Sequence, residues 1–437
     1  MKTKTIIGWT LLLIISIIPI FLWLSFGPGT VDLQGYDHLT HSLGELFGLV
    51  GMTMFALTFV LSTRIDFIED IFGGLDKVYI AHAILGGTAL VLILFHPIFL
   101  VLKFIPGAID RAATYLLPSS YWSVNFGIIA LLGMILLLII TLFTKMKYHR
   151  WKFTHEFLGL MFFLAVLHII LVRNTISQDN IFDGYYWYAG IVSIIGLAAF
   201  GYSLFIKGRI LKNAVYKIRN LKRKGDFFEI TMSPEHKPMA YKSGQFIFLR
   251  FYNKKLSSES HPFSIASKSN SPDIKIVVKR LGDYTAQLEN LAIGDKVSVE
   301  GPYGRFNYTP KYGYDQVWIA AGIGITPFLG MVQDLDHETM KKSKVYLFYS
   351  AREDTDFVGY DLLEQVASAY KQFKFIPWNT RKQGYITIDA IRKETGPFRY
   401  KEFFLCGPPS FKEAIIINLK KQRVSDEDIH EEAFDFR

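Results

Sequence analysis

Hydrophobic residues dominate the first half of the chain in six long runs, which are separated by short polar breaks. They extend over roughly 6–25, 44–62, 79–102, 121–144, 154–173 and 186–206. Each run has about 20 residues, the length that an α-helix needs to cross a bilayer. We therefore expect a membrane α-helical bundle of six transmembrane helices over residues 1–206. The first run could instead be a signal peptide, but it is long and no small-residue cleavage site follows it, which favours a span.

After the sixth run the long apolar stretches stop and short strand-like segments take their place. Asp226–Thr231 and Gly244–Phe251 are rich in strand-forming residues, and short strands with turn signals predict a β-barrel domain over 207–310. From 311 to 437 the pattern becomes strand, turn and helix in repetition, beginning with the strand Gln316–Ala321. That alternation predicts an α/β nucleotide-binding domain.

The charge divides the chain at the same place. Residues 1–206 hold 11 basic and 11 acidic side chains, so the whole net charge of +9 lies in the second half. Eight basic residues fall in the loops on the side of the N-terminus and three on the other side, which favours a cytoplasmic N-terminus. Six crossings then place the second half in the cytoplasm, and we expect an integral protein of the plasma membrane. For the basic stretch after the sixth run, contact with anionic headgroups is a simpler interpretation than nucleic acid.

The composition excludes several classes of protein. Half of the residues are hydrophobic, which excludes a disordered or collagen-like chain. The single cysteine, Cys406, excludes a disulfide framework and any multi-cysteine zinc or iron–sulfur site within the chain.

Four histidines lie inside the predicted spans, two on the third and two on the fifth. A polar ring in hydrocarbon is costly and normally faces a partner. Both spans run in the same direction, so His82 and His155 share one depth while His96 and His168 share another. Two imidazoles that face each other across a helix pair suit axial ligation of a haem iron. Four unrelated histidines, each hydrogen-bonded to a neighbouring helix, are the alternative, and the matched pairing favours ligation.

The two histidine spacings are not equivalent. His82 and His96 are 14 residues apart, whereas His155 and His168 are 13 apart. At about 100° per residue, the first step leaves its rings about 40° apart around a helix and the second about 140°. The fifth span therefore requires either differently oriented haems or a local helix irregularity.

A glycine turn follows the predicted strand Gln316–Ala321. Gly322 and Gly324 would let the backbone approach a phosphate at the start of a helix, with Thr326 as the N-cap and Pro327 in the first turn. An ordinary strand–helix turn has the same form, so the turn alone is a weak signal.

Six motifs occur in order along the second half. They are Tyr241-x-x-Gly244-Gln245-Phe246, His261-Pro262-Phe263-Ser264, Gly282-Asp283-Tyr284-Thr285, Gly301-Pro302-Tyr303-Gly304, Gly322-Ile323-Gly324-Ile325-Thr326-Pro327-Phe328 and Cys406-Gly407-Pro408-Pro409. This set resembles the ferredoxin–NADP reductase superfamily. Together with the four histidines, the chain closely resembles the NADPH oxidase / ferric reductase family over about residues 40–437. The resemblance implies two b-type haems on those histidines, then an FAD-binding and an NADPH-binding domain.

The resemblance also implies roles for single residues. Ser264 would hydrogen-bond near the reactive flavin nitrogen, Cys406 would border the nicotinamide pocket, and Phe434 would stack on the flavin, with Phe436 as second choice. The expected FAD-binding set is Tyr241, Gln245, Phe246, His261, Pro262, Phe263, Ser264, Arg280 (or Lys279 for its charge), Gly282 and Thr285. The expected nicotinamide-nucleotide set is Gly322, Gly324, Thr326, Pro327, Ser350, Arg352, Cys406, Gly407 and Pro408.

The implied function is electron transfer from cytosolic NADPH through FAD and two bis-histidine haems to an outer acceptor, with O2 reduced to superoxide as the first expectation. A ferric-chelate or other metal reductase is the alternative, because Leu100 stands where some oxidases carry a second outer histidine. A transmembrane subunit that passes electrons to a partner enzyme is a third possibility. Ser350 and Arg352 favour NADPH, and NADH stays open.

Overall fold

The structure, a computed structural model, describes residues 2–26, 35–105, 107–146, 148–176, 184–206, 214–257, 259–308 and 313–432. The chain divides into two compact units. One comprises Lys4–Phe72 and Lys77–Ile210, and the other comprises Met1–Thr3, Gly73–Asp76 and Leu211–Arg437.

The described residues of the first half form helices joined by turns and short connections. Its helices are α1 Lys2–Phe26, α2 Tyr36–Ser62, α3 Asp66–Phe72, α4 Leu75–Leu102, α5 Ile109–Thr114, α6 Trp122–Phe143, α7 Tyr148–Glu156, α8 Leu158–Ile176 and α9 Gly184–Gly201, and a π-helical turn at Tyr202–Ile206 follows. Six stretches are long and apolar enough to span a bilayer, namely Thr5–Ser25, Tyr36–Ser62, Leu75–Leu102, Trp122–Phe143, Arg150–Val172 and Trp187–Ile206. The predicted six-helix membrane bundle is confirmed, and the protein is an integral membrane protein.

Aromatic rings pack the centre of this bundle around α2. Phe55 and Phe59 of α2 meet Phe162 of α8, with ring centroids 5.2 and 5.0 Å apart. Leu132 and Leu136 of α6 are exposed outside the bundle. Such side chains suit contact with lipid, because a helix satisfies its own backbone polar groups in hydrocarbon.

An antiparallel sheet begins the second half. Its strands are β1 Ala214–Lys224, β2 Phe227–Pro234, β3 Phe246–Tyr252, β4 His261–Ser264, β5 Ile274–Lys279 and β6 Lys296–Tyr303, and a short helix, α10 Asp283–Gln287, follows β5. The spatial order is β4-β3-β6-β1-β2-β5. The edge regions meet in one isolated bridge between Ile265 and Ile276. The sheet is therefore barrel-like but not closed, and in this respect it differs from the predicted barrel.

A parallel α/β domain completes the chain, as predicted. Its strands are β7 Asp315–Ala321, β8 Val345–Ala351, β9 Phe373–Asn379, β10 Lys401–Cys406 and β11 Ile429–Glu431, in the spatial order β11-β10-β7-β8-β9. The helices are α11 Thr326–Gln333, α12 His337–Lys342, α13 Tyr360–Ala369, α14 Thr380–Gln383, α15 Ile388–Thr395 and α16 Pro409–Lys421. The two faces of the sheet pack separate apolar clusters, one around Trp318 and one around Ile319. Successive side chains of β7 thus point to opposite faces of the sheet, and both faces are buried.

Candidate functional site

The four membrane histidines face each other in two pairs. The ring centroids of His82 and His155 are 6.1 Å apart, and those of His96 and His168 are 6.3 Å apart. Two metal–nitrogen bonds of about 2 Å each, with about 1 Å from each nitrogen to its ring centre, would separate two axial imidazoles by about 6 Å. Each pair is therefore spaced to hold one metal ion between its rings.

Three of these rings are oriented by main-chain carbonyl groups. The contacts are His82 Nδ1 to Thr58 O at 2.9 Å, His96 Nδ1 to Gly44 O at 2.7 Å and His168 Nδ1 to Ser123 O at 2.7 Å. A carbonyl oxygen only accepts, so Nδ1 carries the proton and Nε2 keeps its lone pair. This is the arrangement that orients a histidine for metal ligation.

The fourth ring, His155, is oriented by a side chain. Its Nδ1 lies 3.4 Å from Thr141 Oγ1. That hydroxyl donates its own proton to the Leu137 carbonyl at 2.7 Å, so towards the histidine it acts as an acceptor. The Trp151 ring stacks on His155 with a centroid distance of 5.1 Å. Nε2 of His155 is thus left for a ligand, as in the other three histidines.

The fifth span is interrupted between its two histidines. α7 ends at Glu156 and α8 begins at Leu158, and the N–H of Phe157 bonds to the Thr154 carbonyl only three residues back. This tighter turn is the local irregularity that the 13-residue spacing allowed for. With this turn in the fifth span, both His155 and His168 face histidines of α4.

Glycines flank the second pair. A Cβ atom on Gly48 would lie 2.7 Å from His96 Nδ1, and one on Gly127 would lie 2.8 Å from His168 Nδ1. A larger side chain at either position would displace the imidazole that it faces.

The His-Pro-Phe-Ser segment forms β4, where Ser264 lies opposite Phe246 of β3. The Ser264 side chain is buried, and among the described residues its Oγ has no hydrogen-bond partner. A buried hydroxyl without a partner is costly, so this group fits a polar ligand atom such as a flavin nitrogen. His261 stacks on Tyr284 with a centroid distance of 3.6 Å, and its Nε2 lies 3.0 Å from Glu259.

The other residues predicted around the flavin are tied into the fold. The Tyr241 hydroxyl lies 2.7 Å from Ser267 Oγ, and Gln245 Nε2 donates to the Gly304 carbonyl at 3.2 Å. Phe246 is buried. The first contact holds the turn before β3 against the segment after β4, and the second holds it against the loop after β6. Pro262 and Phe263 are half-buried on β4.

The turn before α10 is open on one side. A Cβ atom on Gly282 would meet nothing within 4 Å, which leaves room for a phosphate. However, the N–H groups of Gly282 and Leu281 both donate to Thr285 Oγ1 at 3.0 Å, so two residues of the expected FAD-binding set, Gly282 and Thr285, already bond to each other. The Arg280 guanidinium is half-exposed and lies 3.9 Å from Glu289.

The two glycine motifs of the α/β domain meet at the carboxyl edge of its sheet. Cys406 at the end of β10 lies opposite Ala320 of β7, and a Cβ atom on Gly407 would lie 2.9 Å from that of Ala321. Gly322 has a φ of +56° and open space where a side chain would begin. The residues of the two turns thus lie next to each other at this edge of the sheet.

Thr326 is the first residue of α11 rather than its N-cap. Ile325 holds the cap position after a 3₁₀ turn over Gly322–Ile325, and Thr326 Oγ1 donates to the Ile323 carbonyl at 2.7 Å. Pro327 lies in the first helical turn, as predicted. Ser350 is buried at the end of β8 with the exposed Arg352 just beyond it.

The cysteine motif begins α16. Pro408 caps this helix, and Cys406 is fully buried behind it. Phe434 and Phe436, predicted to cover the flavin, lie outside the described residues.

Glu432 is a buried carboxyl group for which the sequence predicts no role. It follows β11, and neither carboxylate oxygen has a hydrogen-bond partner among the described residues. Burial raises the pKa of this carboxyl well above its usual value. Burial, and after it the charge of Glu432, also raises the pKa of Cys406. Neither a periodicity nor a motif marks this single glutamate in a polar tail.

Three family models match the chain in succession. A ferric reductase like transmembrane component matches residues 47–166, an FAD-binding domain matches 210–307, and an oxidoreductase NAD-binding domain matches 318–416. The protein is therefore a membrane-spanning oxidoreductase with domains for FAD and NAD(P)H. The three together are the domain architecture of the NADPH oxidase / ferric reductase family, and the predicted resemblance is confirmed.

Curated relatives match part of the chain. The phenol hydroxylase P5 protein of Acinetobacter pittii (strain PHEA-2) is 29% identical over 45% of this chain and 59% of its own length. The ferredoxin reductase component of the 3-ketosteroid-9-alpha-monooxygenase of Rhodococcus rhodochrous is 30% identical over 45% of this chain and 56% of its own. The chain thus spans less than two thirds of the length of these relatives.

Among solved structures, the flavohem-like FAD/NAD binding domain of nitric oxide dioxygenase from Vibrio cholerae O1 biovar El Tor is 22% identical. The match has a TM-score of 0.45 and covers 51% of this chain and 98% of that one.

Proposed function

We propose that the protein transfers electrons from cytosolic NADPH through FAD and two bis-histidine haems to an acceptor on the outer side of the plasma membrane. The observation that supports this best is the pairing of His82 with His155 and of His96 with His168 in one bundle. The pairs are 14 residues apart on α4, or about 21 Å along the helix. Both pairs therefore fit within a hydrocarbon core of about 30 Å, one towards each side of the membrane.

In this proposal the bundle of residues 1–206 holds the haems, and residues 207–310 and 311–437 bind FAD and NADPH. A bound flavin takes up a hydride and releases single electrons, which is the conversion that a one-electron haem needs. Ser264 would donate its unpartnered hydroxyl to the flavin. Cys406 and Glu432 would line the nicotinamide side, where burial raises the pKa of both groups.

The remaining predicted residues would bind or shape the two cofactor sites. Phe434 would cover the flavin until the nicotinamide enters. Those proposed to bind FAD or to shape its site are Tyr241, Gln245, Phe246, His261, Pro262, Phe263, Arg280, Gly282 and Thr285. Those proposed for the nicotinamide nucleotide are Gly322, Gly324, Thr326, Pro327, Ser350, Arg352, Gly407 and Pro408.

The proposed acceptor is O2, with superoxide as the product. Each histidine pair would supply two nitrogens to its haem iron and leave no position for the acceptor, which would then take its electron without binding the metal. An Fe(III) chelate is the second candidate, and Leu100 favours it. This side chain stands one helical turn beyond His96, where some oxidases carry a histidine, and a Cβ atom on Gly44 would lie 2.9 Å from it.

The experiment is an absorption spectrum of the purified, cofactor-supplied chain before and after dithionite. We expect one FAD and two b-type haems for each chain, and one haem fewer in His96→Leu. His38→Leu is the matched control, because His38 lies on α2 outside both pairs and should leave two haems. A haem-free spectrum of folded wild-type protein, or two haems in His96→Leu, would contradict the proposal.

Dye reduction with NADPH then identifies the acceptor. Reduction that superoxide dismutase suppresses supports O2. Brisk reduction of an Fe(III) chelate without a superoxide signal supports the metal reductase. A chain that reduces neither acceptor until a partner enzyme is added would support an electron-carrying subunit instead.

A further inference from the structure

Two arginines meet at the carboxyl edge of the parallel sheet. β8 and β9 end side by side, with Ala351 opposite Asn379. Arg352 follows the first strand and Arg381 follows the second, and the N–H of Arg381 donates to the Arg352 carbonyl at 3.4 Å. Both side chains are exposed at the edge where open α/β sheets bind their ligands.

A buried asparagine fixes this arrangement. Asn379 Oδ1 accepts hydrogen bonds from the N–H groups of Arg381 and Lys382 at 3.0 and 3.2 Å. Its Nδ2 donates to Asp354 Oδ1 at 2.7 Å, and Asp354 lies in the segment after β8. One side chain therefore ties the two strand ends together, so the spacing of the two arginines is a property of the fold.

The charges at this edge are unequally paired. Arg381 Nη1 lies 2.7 Å from Glu353 Oε1, and Lys382 Nζ lies 2.6 Å from Asp354 Oδ2. Arg352 forms no ion pair within the described part of the chain. The Arg381 and Glu353 side chains are 59% and 43% exposed, and exposed pairs of this kind are weak. Arg381 is thus a cation held by a partner that a stronger anion can displace.

We infer that Arg381 is a specificity-determining residue, which turns from Glu353 to join Arg352 on the 2′-phosphate of NADPH. This inference rests on the proposed function and extends it to the choice of nucleotide. A phosphate carries close to two charges and three acceptor oxygens, and guanidinium groups bind it through paired, charge-assisted hydrogen bonds. NADH has only a hydroxyl at that position, and it leaves the Glu353–Arg381 pair in place.

The test compares NADPH with NADH in the full-length, FAD-loaded protein. Arg381→Gln should lower the ratio of kcat/KM for NADPH to that for NADH by about tenfold, because one charge-assisted bond to phosphate is lost. Arg381→Lys should recover part of the ratio, and Glu353→Gln should raise it. Arg399→Gln, an exposed arginine just before β10 at the opposite edge of the sheet, is the matched control and should keep the wild-type ratio.

A binding measurement separates recognition from turnover. By calorimetry, Arg381→Gln should weaken 2′,5′-ADP by about tenfold and leave 5′-ADP within twofold of wild type. Equal ratios and equal affinities in Arg381→Gln and wild type would overturn the assignment, as would a wild-type chain that prefers NADH. A folded chain that oxidises neither nucleotide yet binds 2′,5′-ADP through Arg381 would contradict the proposed function and support this inference. Unchanged FAD content shows that each variant has folded.

Discussion

A Cβ atom on Gly324 would overlap with the carbonyl oxygen of Cys406. The contact joins main chain to main chain, so no side-chain rotation can relieve it. Two motifs that are far apart in the sequence are thereby held in register across neighbouring strands. The nicotinamide nucleotide would bind on a surface that exists only while this approach is kept.

Gly324→Ala should therefore destabilise the α/β domain by about 1–3 kcal/mol and weaken nucleotide binding. Thermal unfolding of the purified chain and calorimetric titration with NADP⁺ measure the two effects. Gly190→Ala is the control, because a Cβ atom at that helical glycine meets nothing within 4 Å. Equal unfolding temperatures for the two variants would refute the steric argument.

Ser264→Ala should retain FAD but slow its reduction by NADPH about three- to tenfold, since one hydrogen bond to the cofactor is lost. Stopped-flow absorbance of the flavin measures the rate. Ser233 Oγ is also buried without a partner within the described chain, and it lies on β2. Ser233→Ala should keep the wild-type rate, and an equal slowing in both variants would count against a role at the flavin.

Glu432→Gln should stabilise the protein increasingly as the pH rises. Burial raises the pKa of this carboxyl, whereas an unfolded chain releases the proton near pH 4.3. Above that value the folded state holds a proton that the unfolded state has lost, so stability falls with pH up to the folded-state pKa. The Tm difference between variant and wild type should be larger at pH 8 than at pH 5. A constant difference would mean that the carboxyl is already ionised when folded.

Thr141→Val should raise the midpoint potential of one haem by about 20–40 mV and leave the other unchanged. The hydroxyl accepts from His155 Nδ1, which makes the ring a stronger donor to the oxidised metal. Its loss corresponds to about 0.5–1 kcal/mol on a one-electron couple. Spectroelectrochemical titration measures both haems. Thr144→Val, at the C-cap of α6, should shift neither, and equal shifts in both variants would remove Thr141 from the site.

Hydropathy predicts the six spans because each must be apolar along its length to lie in hydrocarbon. Spacing predicts the histidine partners because parallel helices place equal depths side by side. The break at Phe157 has no such signal in the hydropathy, which stays that of one continuous span through this region. From the sequence, a helix irregularity is only one of two ways to accommodate the 13-residue spacing of His155 and His168, and differently oriented haems are the other.

In the second half of the chain, too, some features can be predicted from the sequence and others cannot. Motif order predicts both domains, and strand ends place Ser350 and Cys406 at one edge of the sheet. Thr285 is different, because the sequence shows a hydroxyl available to phosphate and the folded turn already uses it. Glu432 and Arg381 gain their surroundings from strands distant in the chain, so neither the periodicity nor the motifs identify them.

The order of assembly follows from how the imidazoles are anchored. Three of the four Nδ1 atoms bond to main-chain carbonyls, two on α2 and one on α6. These bonds form when the helices pack. The protein alone therefore orients these imidazoles. In the proposed function, haem insertion would then be a late loading step on a folded bundle, and apoprotein made under haem limitation should still reach the membrane folded and be filled afterwards.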